Sequence, residues 1–107
     1  MASPNVGAYR GPNHLLVSRK SSLTALRSRA RKLLASKRHA EVVVHGLGAA
    51  LAPAIALAAE LVQESGGKLV ASASTSTEVL VDRPDDDLSD ASLRHNSAVH
   101  IVLRPRP

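Results

Sequence analysis

Residues 68–82 alternate with period two. Leu69, Ala71, Ala73, Thr75, Thr77, Val79 and Val81 fall on one side, and Val70, Ser72, Ser74, Ser76, Glu78, Leu80 and Asp82 on the other. Alternation sustained over that length is the pattern of a long β-strand. A strand cannot stand alone, so the rest of the 107-residue chain must supply a sheet and something to cover one face of it. A chain of this length holds one domain, because two cores would each be too small.

The missing strands are legible. His14-Leu15-Leu16-Val17 is short and apolar and ends at Arg19, Lys20 and two serines. Glu41-Val42-Val43-Val44-His45 is β-branched, as a buried strand is. Residues 96–104 alternate again, with Ala98, His100 and Val102 opposite Val99, Ile101 and Leu103.

Two segments repeat at the helical period instead. In the first, Leu23, Leu26, Ala30, Leu33 and Leu34 form one apolar stripe, with Ser21 or Ser22 as cap and Lys37-Arg38-His39 at the carbonyl-rich end. Arg27, Arg31 and Arg38 line one edge of that stripe. The second runs from Ala49 to about Ser65, with Pro53 in the first turn, where its missing N–H costs least. Leu51, Ala54, Ile55, Ala58, Leu61 and Val62 form its core stripe. The opposite face carries Ala52, Ala56 and Ala59, with only Glu60, Gln63 and Glu64 for water. A helix apolar on nearly every side needs cover on more than one side. A second subunit is the expected cover, with Ala52, Ala56 and Ala59 at the dimer interface.

The expected architecture is therefore α+β in the order β-α-β-α-β-β. Right-handed crossovers put both helices on one face of a four-stranded mixed sheet. Residues 1–12, with two glycines and two prolines, read as a flexible tail. Residues 13–104 form the domain, residues 83–95 within it a polar loop, and residues 105–107 a short C-terminal tail.

Charge is distributed unevenly. Residues 1–40 hold nine Lys and Arg and no carboxylate, although the whole chain carries only +5. A solvated face is normally mixed in sign, so this segment points to a polyanion: nucleic acid or an anionic membrane surface. An organelle transit peptide shares the Arg- and Ser-rich, acid-poor composition, but here the segment supplies a strand and a helix that the fold requires. The longest uncharged run, residues 42–59, is broken by His45, two glycines and Pro53, and is too short to span a bilayer. Without cysteine there is no disulfide, thiolate metal site or thiol nucleophile.

Catalytic patterns are weak. Gly46-Leu47-Gly48, between a strand and a helix, is either a tight connection or a set of backbone N–H groups offered to phosphate, and the tight connection is favoured. It lacks the third glycine of a dinucleotide fingerprint and the Lys-Ser/Thr of a P-loop. The five histidines, His14, His39, His45, His95 and His100, show no short metal-ligand spacing, so no metal or cofactor is expected. No serine lies on a glycine-flanked elbow, so a serine hydrolase is not expected. Phe and Trp are absent and Tyr9 is the only tyrosine. Nucleic-acid binding should then read phosphates and shape, not stack bases.

The element order with a basic first loop resembles the Alba-like fold. Val43-Val44-His45-Gly46-Leu47-Gly48 before an Ala/Leu helix, Ser74-Thr75-Ser76-Thr77 running to Leu80-Val81-Asp82, and Asn96-Ser97-Ala98-Val99-His100-Ile101 narrow the match. In that order they resemble the smaller Alba-like protein subunit of eukaryotic ribonuclease P and ribonuclease MRP. The resemblance implies a non-catalytic, nuclear and nucleolar RNA-binding subunit. Such a subunit pairs with a larger Alba-like partner, works beside the other proteins of the particle, and supports precursor tRNA and ribosomal RNA processing that the RNA component carries out. It makes Lys20 the foremost RNA contact, with Arg19 beside it and Gly46, Leu47 and Gly48 near the RNA. Ala52 and Pro53 depart from the polar or basic residues usual there. Arg27, Arg31 and Arg38 are expected to compensate by extending the RNA-binding patch. Two other readings remain: a homodimeric Alba-type binder of chromatin or messenger RNA, and a small βαβ enzyme that holds a phosphorylated ligand at the glycine turn.

Overall fold

The computed structural model describes residues 11–82 and 92–107. The elements are β1 (His14–Val17), α1 (Leu23–Ser36), β2 (Val42–Leu47), a 3-10 turn (Gly48–Ala50), α2 (Leu51–Glu64), β3 (Leu69–Asp82) and β4 (Ser92–Pro105). This is the expected β-α-β-α-β-β order. The sheet runs β1-β2-β4-β3, with β1 parallel to β2 and the other neighbours antiparallel.

Register explains the core. Val44 pairs with Leu15 and Ile101, Val42 with Leu103, and Gly46 with Val17 and Val99. Paired residues share a face, so these side chains form one apolar layer. Against it pack Ala30 of α1 and Ala54, Leu57, Ala58 and Leu61 of α2. Both helices therefore lie on one face of the sheet, as right-handed crossovers require. Pro53 falls in the first turn of α2. One stripe residue differs from expectation: Ile55 is half exposed, and Leu57 is buried in its place. The residues of α2 that meet the sheet are Ala54, Leu57, Ala58 and Leu61, which leaves Ile55 on the flank of the helix.

Four boundaries also differ. The first helix stops at Ser36, with Lys37 in the left-handed conformation at φ 57°. Arg38 is therefore off the helix, and no glycine announced the stop. Gly46 and Leu47 belong to β2, so the connection begins at Gly48, where φ is 54°. The last strand starts at Ser92, because cross-strand pairing with β3 carries the ladder through Arg94 and His95 to Ser92. It also includes Pro105, and Arg106 N–H donates to the Lys68 carbonyl at 2.8 Å, so the end of the chain is tied down from there. Residues 1–10 of the expected N-terminal tail, and residues 83–91 of the expected polar loop, lie outside the described residues. Gly11 closes a turn by accepting from the His14 N–H at 3.0 Å.

β3 and β4 run beyond the rest of the sheet. β2 pairs with β4 only from Ala98 to Leu103, so residues 77–82 and 92–97 form a two-stranded ribbon. The hairpin is about 45 Å long at 3.3 Å per residue, and α2 about 21 Å at 1.5 Å. The helices cannot cover it. Within the four-stranded part of the sheet β3 is the edge strand, and Ala71, Ala73 and Thr75 on its helix side are exposed.

Candidate nucleic-acid interface

Because β1 and β2 are parallel neighbours, both strand-to-helix connections emerge at the same end of the sheet. At the first, the Ser21 N–H donates to the Ser18 carbonyl at 3.1 Å, closing a turn whose central residues are Arg19 and Lys20. The Ser18 N–H donates to Ser21 Oγ at 3.0 Å, and the two hydroxyls lie 2.9 Å apart. Serine hydroxyls suit this bracing because they bond the backbone locally. Ser22 then caps α1 by accepting from the Ala25 N–H at 3.2 Å. Arg19 and Lys20 are exposed at the tip, beside a helix N-terminus whose first turn has no acidic residue. Two cations and the positive end of a helix dipole on a braced turn suit a phosphate group.

The other expected contacts do not join this tip. Arg27 Nε lies 3.0 Å from Glu60 Oε1, with its N–H not aimed at that oxygen. Arg31 grips Glu64 with both ends of its guanidinium: Nε donates to Oε2 at 3.0 Å and Nη2 to Oε1. This pairing holds the Glu64 carboxyl below, and the Arg31 guanidinium above, its ordinary pKa. Both arginines thus clasp α1 to α2. The signal was present in the sequence: 27 and 31 on one helix, and 60 and 64 on the other, share the same four-residue spacing. Arg38 is exposed beyond the far end of α1, about 21 Å of helix away from the tip.

The glycines divide as well. Gly46 is buried, and a Cβ there would meet Ala54 Cβ at 2.5 Å and the Ala50 carbonyl oxygen at 2.6 Å. It is a packing residue that lets the start of α2 settle on β2. Gly48 and Leu47 are partly exposed at the same end of the sheet as Arg19 and Lys20, and Gly48 faces the Asn96 side chain.

The helix-free face of the sheet carries a row of histidines that showed no short spacing in the sequence. His14, His45 and His100, on three successive strands, share that face by register. His14 Nδ1 is 2.7 Å from His45 Nε2, His45 Nδ1 is 2.8 Å from His100 Nδ1, and His100 Nε2 is 2.8 Å from Ser76 Oγ. Ser76 Oγ donates to Glu78 Oε1 at 3.2 Å. That bond uses the only hydroxyl hydrogen, so Ser76 accepts from His100 Nε2–H. With neutral rings, His45 Nδ1–H then donates to His100 and His14 Nδ1–H donates to His45. Burial, then the neighbouring His100 and His14, push the His45 pKa down to about 4.

A pH dependence follows. Between about 6.5 and 4 the unfolded chain takes up a proton at His45 that the folded chain refuses, so stability falls as pH drops through this window. Over 1.5 pH units the ceiling is about 2 kcal/mol, and solvent at the open face reduces it to about 1 kcal/mol. Melting at pH 6.5 and at pH 5 should show a drop of several degrees, smaller in His45→Asn. Glu64 acts only below the ordinary glutamate range, so it does not contribute there. Equal melting temperatures at the two pH values would contradict the assignment.

Among the described residues no group of His, Asp and Glu could hold a metal ion, and no helix is long and apolar enough to cross a membrane. Ala52, Ala56 and Ala59 are exposed on α2. Ile55, 48% exposed, lies on the flank of α2 away from Glu60 and Glu64, the residues that face α1.

Comparison with known proteins places this geometry. A family model described as the Rpp20 subunit of nuclear RNase MRP and P matches residues 10–102. The ribonuclease P protein subunit p20 of Homo sapiens is 38% identical over 108 aligned positions, covering 92% of this chain and 77% of the human one. The Bos taurus subunit p20 shows the same identity and coverage. Among solved structures, ALBA1 from Trypanosoma brucei superposes with a TM-score of 0.58 at 18% identity, covering 90% of this chain and 72% of that one. That likeness shows an Alba-like fold.

Proposed function

Since this chain belongs to the family of Rpp20 subunits of nuclear RNase MRP and P, we propose that it is a non-catalytic RNA-binding subunit of that ribonucleoprotein. It grips a structured stem of the RNA component and supports precursor tRNA 5′-end maturation and ribosomal RNA processing in the nucleus and nucleolus. Cleavage in this reading belongs to the RNA. The observation that carries it is the serine-braced turn presenting Arg19 and Lys20 at the N-terminus of α1. Recognition is of backbone phosphates and stem shape, because the chain has no Phe or Trp and only Tyr9 as tyrosine with which to stack bases.

Pairing with a larger Alba-like subunit is part of the same proposal. Ile55, Ala52 and Ala59 on α2 and Ala71, Ala73 and Thr75 on the helix side of β3 are exposed apolar or weakly polar residues, and they are the surfaces the partner would cover. A partner that covers both removes them from water.

The test is to purify the tagged chain from its own cells and to sequence the bound RNA and identify the bound proteins. Enrichment of the ribonuclease P or MRP RNA, with a second Alba-like chain in equal amount, is expected. A broad mixture of messages or genomic DNA would replace the proposal with a general homodimeric binder. No enriched nucleic acid would overturn it.

A further inference from the structure

The end of the molecule opposite the Arg19 and Lys20 turn holds a cleft of about 800 Å³. It lies where α1 stops, β2 and β3 begin and β4 ends, and the nucleic-acid reading makes no use of it. Its apolar wall is Leu34, Leu69, Leu103 and Pro105. Its charged groups are mostly cations: Lys37, Lys68 and Arg106, with His39 beside them. The carboxylate among them, Glu41, lies 3.8 Å from Arg104. Arg106 is fixed by donating from Nε to the Gly67 carbonyl at 2.9 Å, so one wall of the cleft is held in place. Lys37 and Lys68 are exposed, and no ion pair among the described residues engages either.

We infer that this cleft docks an extended peptide segment of a partner protein, one that carries a bulky apolar side chain flanked by carboxylates. Volume, lining and charge each select that occupant. The cleft has the capacity of a ligand pocket, enough for a few side chains. An apolar wall rewards a buried aliphatic or aromatic anchor. The surplus of positive charge selects carboxylates on either side of the anchor and rejects basic segments. A nucleic-acid strand fits less well, because the apolar wall offers its polar base edges nothing and no Phe, Tyr or Trp lines the cleft for stacking. The two ends of the fold then divide the work: RNA at the turn, a protein segment at the cleft. The inference does not rest on the RNA reading.

Random short peptides displayed on phage, selected against the full immobilised chain, test it. Survivors are resynthesised with a fluorescein label and measured by anisotropy. The expected survivors carry an apolar residue with Asp or Glu on both sides. Their affinity should fall about tenfold in Lys37→Glu/Lys68→Glu, while that variant keeps its melting temperature and its RNA affinity. Binding to the unaltered chain should also weaken as salt rises, which reads the same charge pairing without a mutation. The inference is overturned if no peptide survives selection or if the survivors are basic or uncharged. It also fails if affinity ignores both the substitutions and salt. A Lys37→Glu/Lys68→Glu chain that loses RNA binding would make the cleft an RNA surface instead.

Discussion

Gly46→Ala is expected to destabilise the fold by about 3 kcal/mol, a penalty at the upper end of those for overpacking a tight core. The new methyl group would fall 2.5 Å from Ala54 Cβ and 2.6 Å from the Ala50 carbonyl oxygen. Neither neighbour can yield cheaply. Ala54 is buried in the helix face that meets the sheet, and Gly46 is paired on both sides, to Val17 and to Val99. For a domain of this size, 3 kcal/mol corresponds to a fall in melting temperature of roughly 12–24 °C. Gly48→Ala provides the contrast. Its Cβ would meet nothing closer than the Asn96 side chain at 3.4 Å, so its cost is that of a left-handed φ, about 1 kcal/mol. Equal losses for the two variants would mean that the close approach of α2 to β2 is not what Gly46 provides.

The second large effect is on binding. Arg19→Glu/Lys20→Glu should lower affinity for the structured RNA roughly a hundredfold at physiological salt and reduce the salt slope by about 2, one unit for each phosphate left without its cation. Melting should be unchanged, since both side chains are exposed and the turn is closed by Ser18 and Ser21. Arg27→Glu/Arg31→Glu should behave differently. It sets new carboxylates against Glu60 and Glu64, so the loss appears first as weaker packing of α1 on α2. If RNA affinity fell equally in the two variants with no change in melting, the α1 edge would be an RNA surface after all.

The parts of the fold legible in the sequence are those set by local periodicity. The alternation of residues 68–82, the β-branched run before Gly46 and the stripe of Leu26, Ala30 and Leu33 each recur within one element, and each element formed where it was expected. What was missed depends on a distant partner. Residues 92–95 carry Arg94 and His95 and look like loop, yet pairing with β3 makes them strand. Gly46, two positions before Gly48, reads as a turn residue until α2 is folded back and Ala54 occupies its Cβ position. Lys37 stops a helix without being glycine or asparagine. The exposed position of Arg19 and Lys20 was legible because a short basic loop between a strand and a helix has little choice of where to point. Arg27, Arg31 and Arg38 were grouped by helical angle, which says nothing of what lies opposite. The histidine row was visible only as scattered positions until the register aligned 14, 45 and 100 across three strands.

The open edge strand β3 bears on how such a chain must be produced. From Leu69 to Thr77 the edge strand β3 has no charge and no proline, and its central residues are open on both faces. Charges and prolines are what edge strands use to repel other strands. A copy made in excess of whatever covers that strand is left with an adhesive border. If the proposed partner is that cover, output of this chain is expected to need matching to it, with surplus copies prone to self-association. Co-expression with the proposed Alba-like partner, not higher output of this chain, should then raise soluble yield.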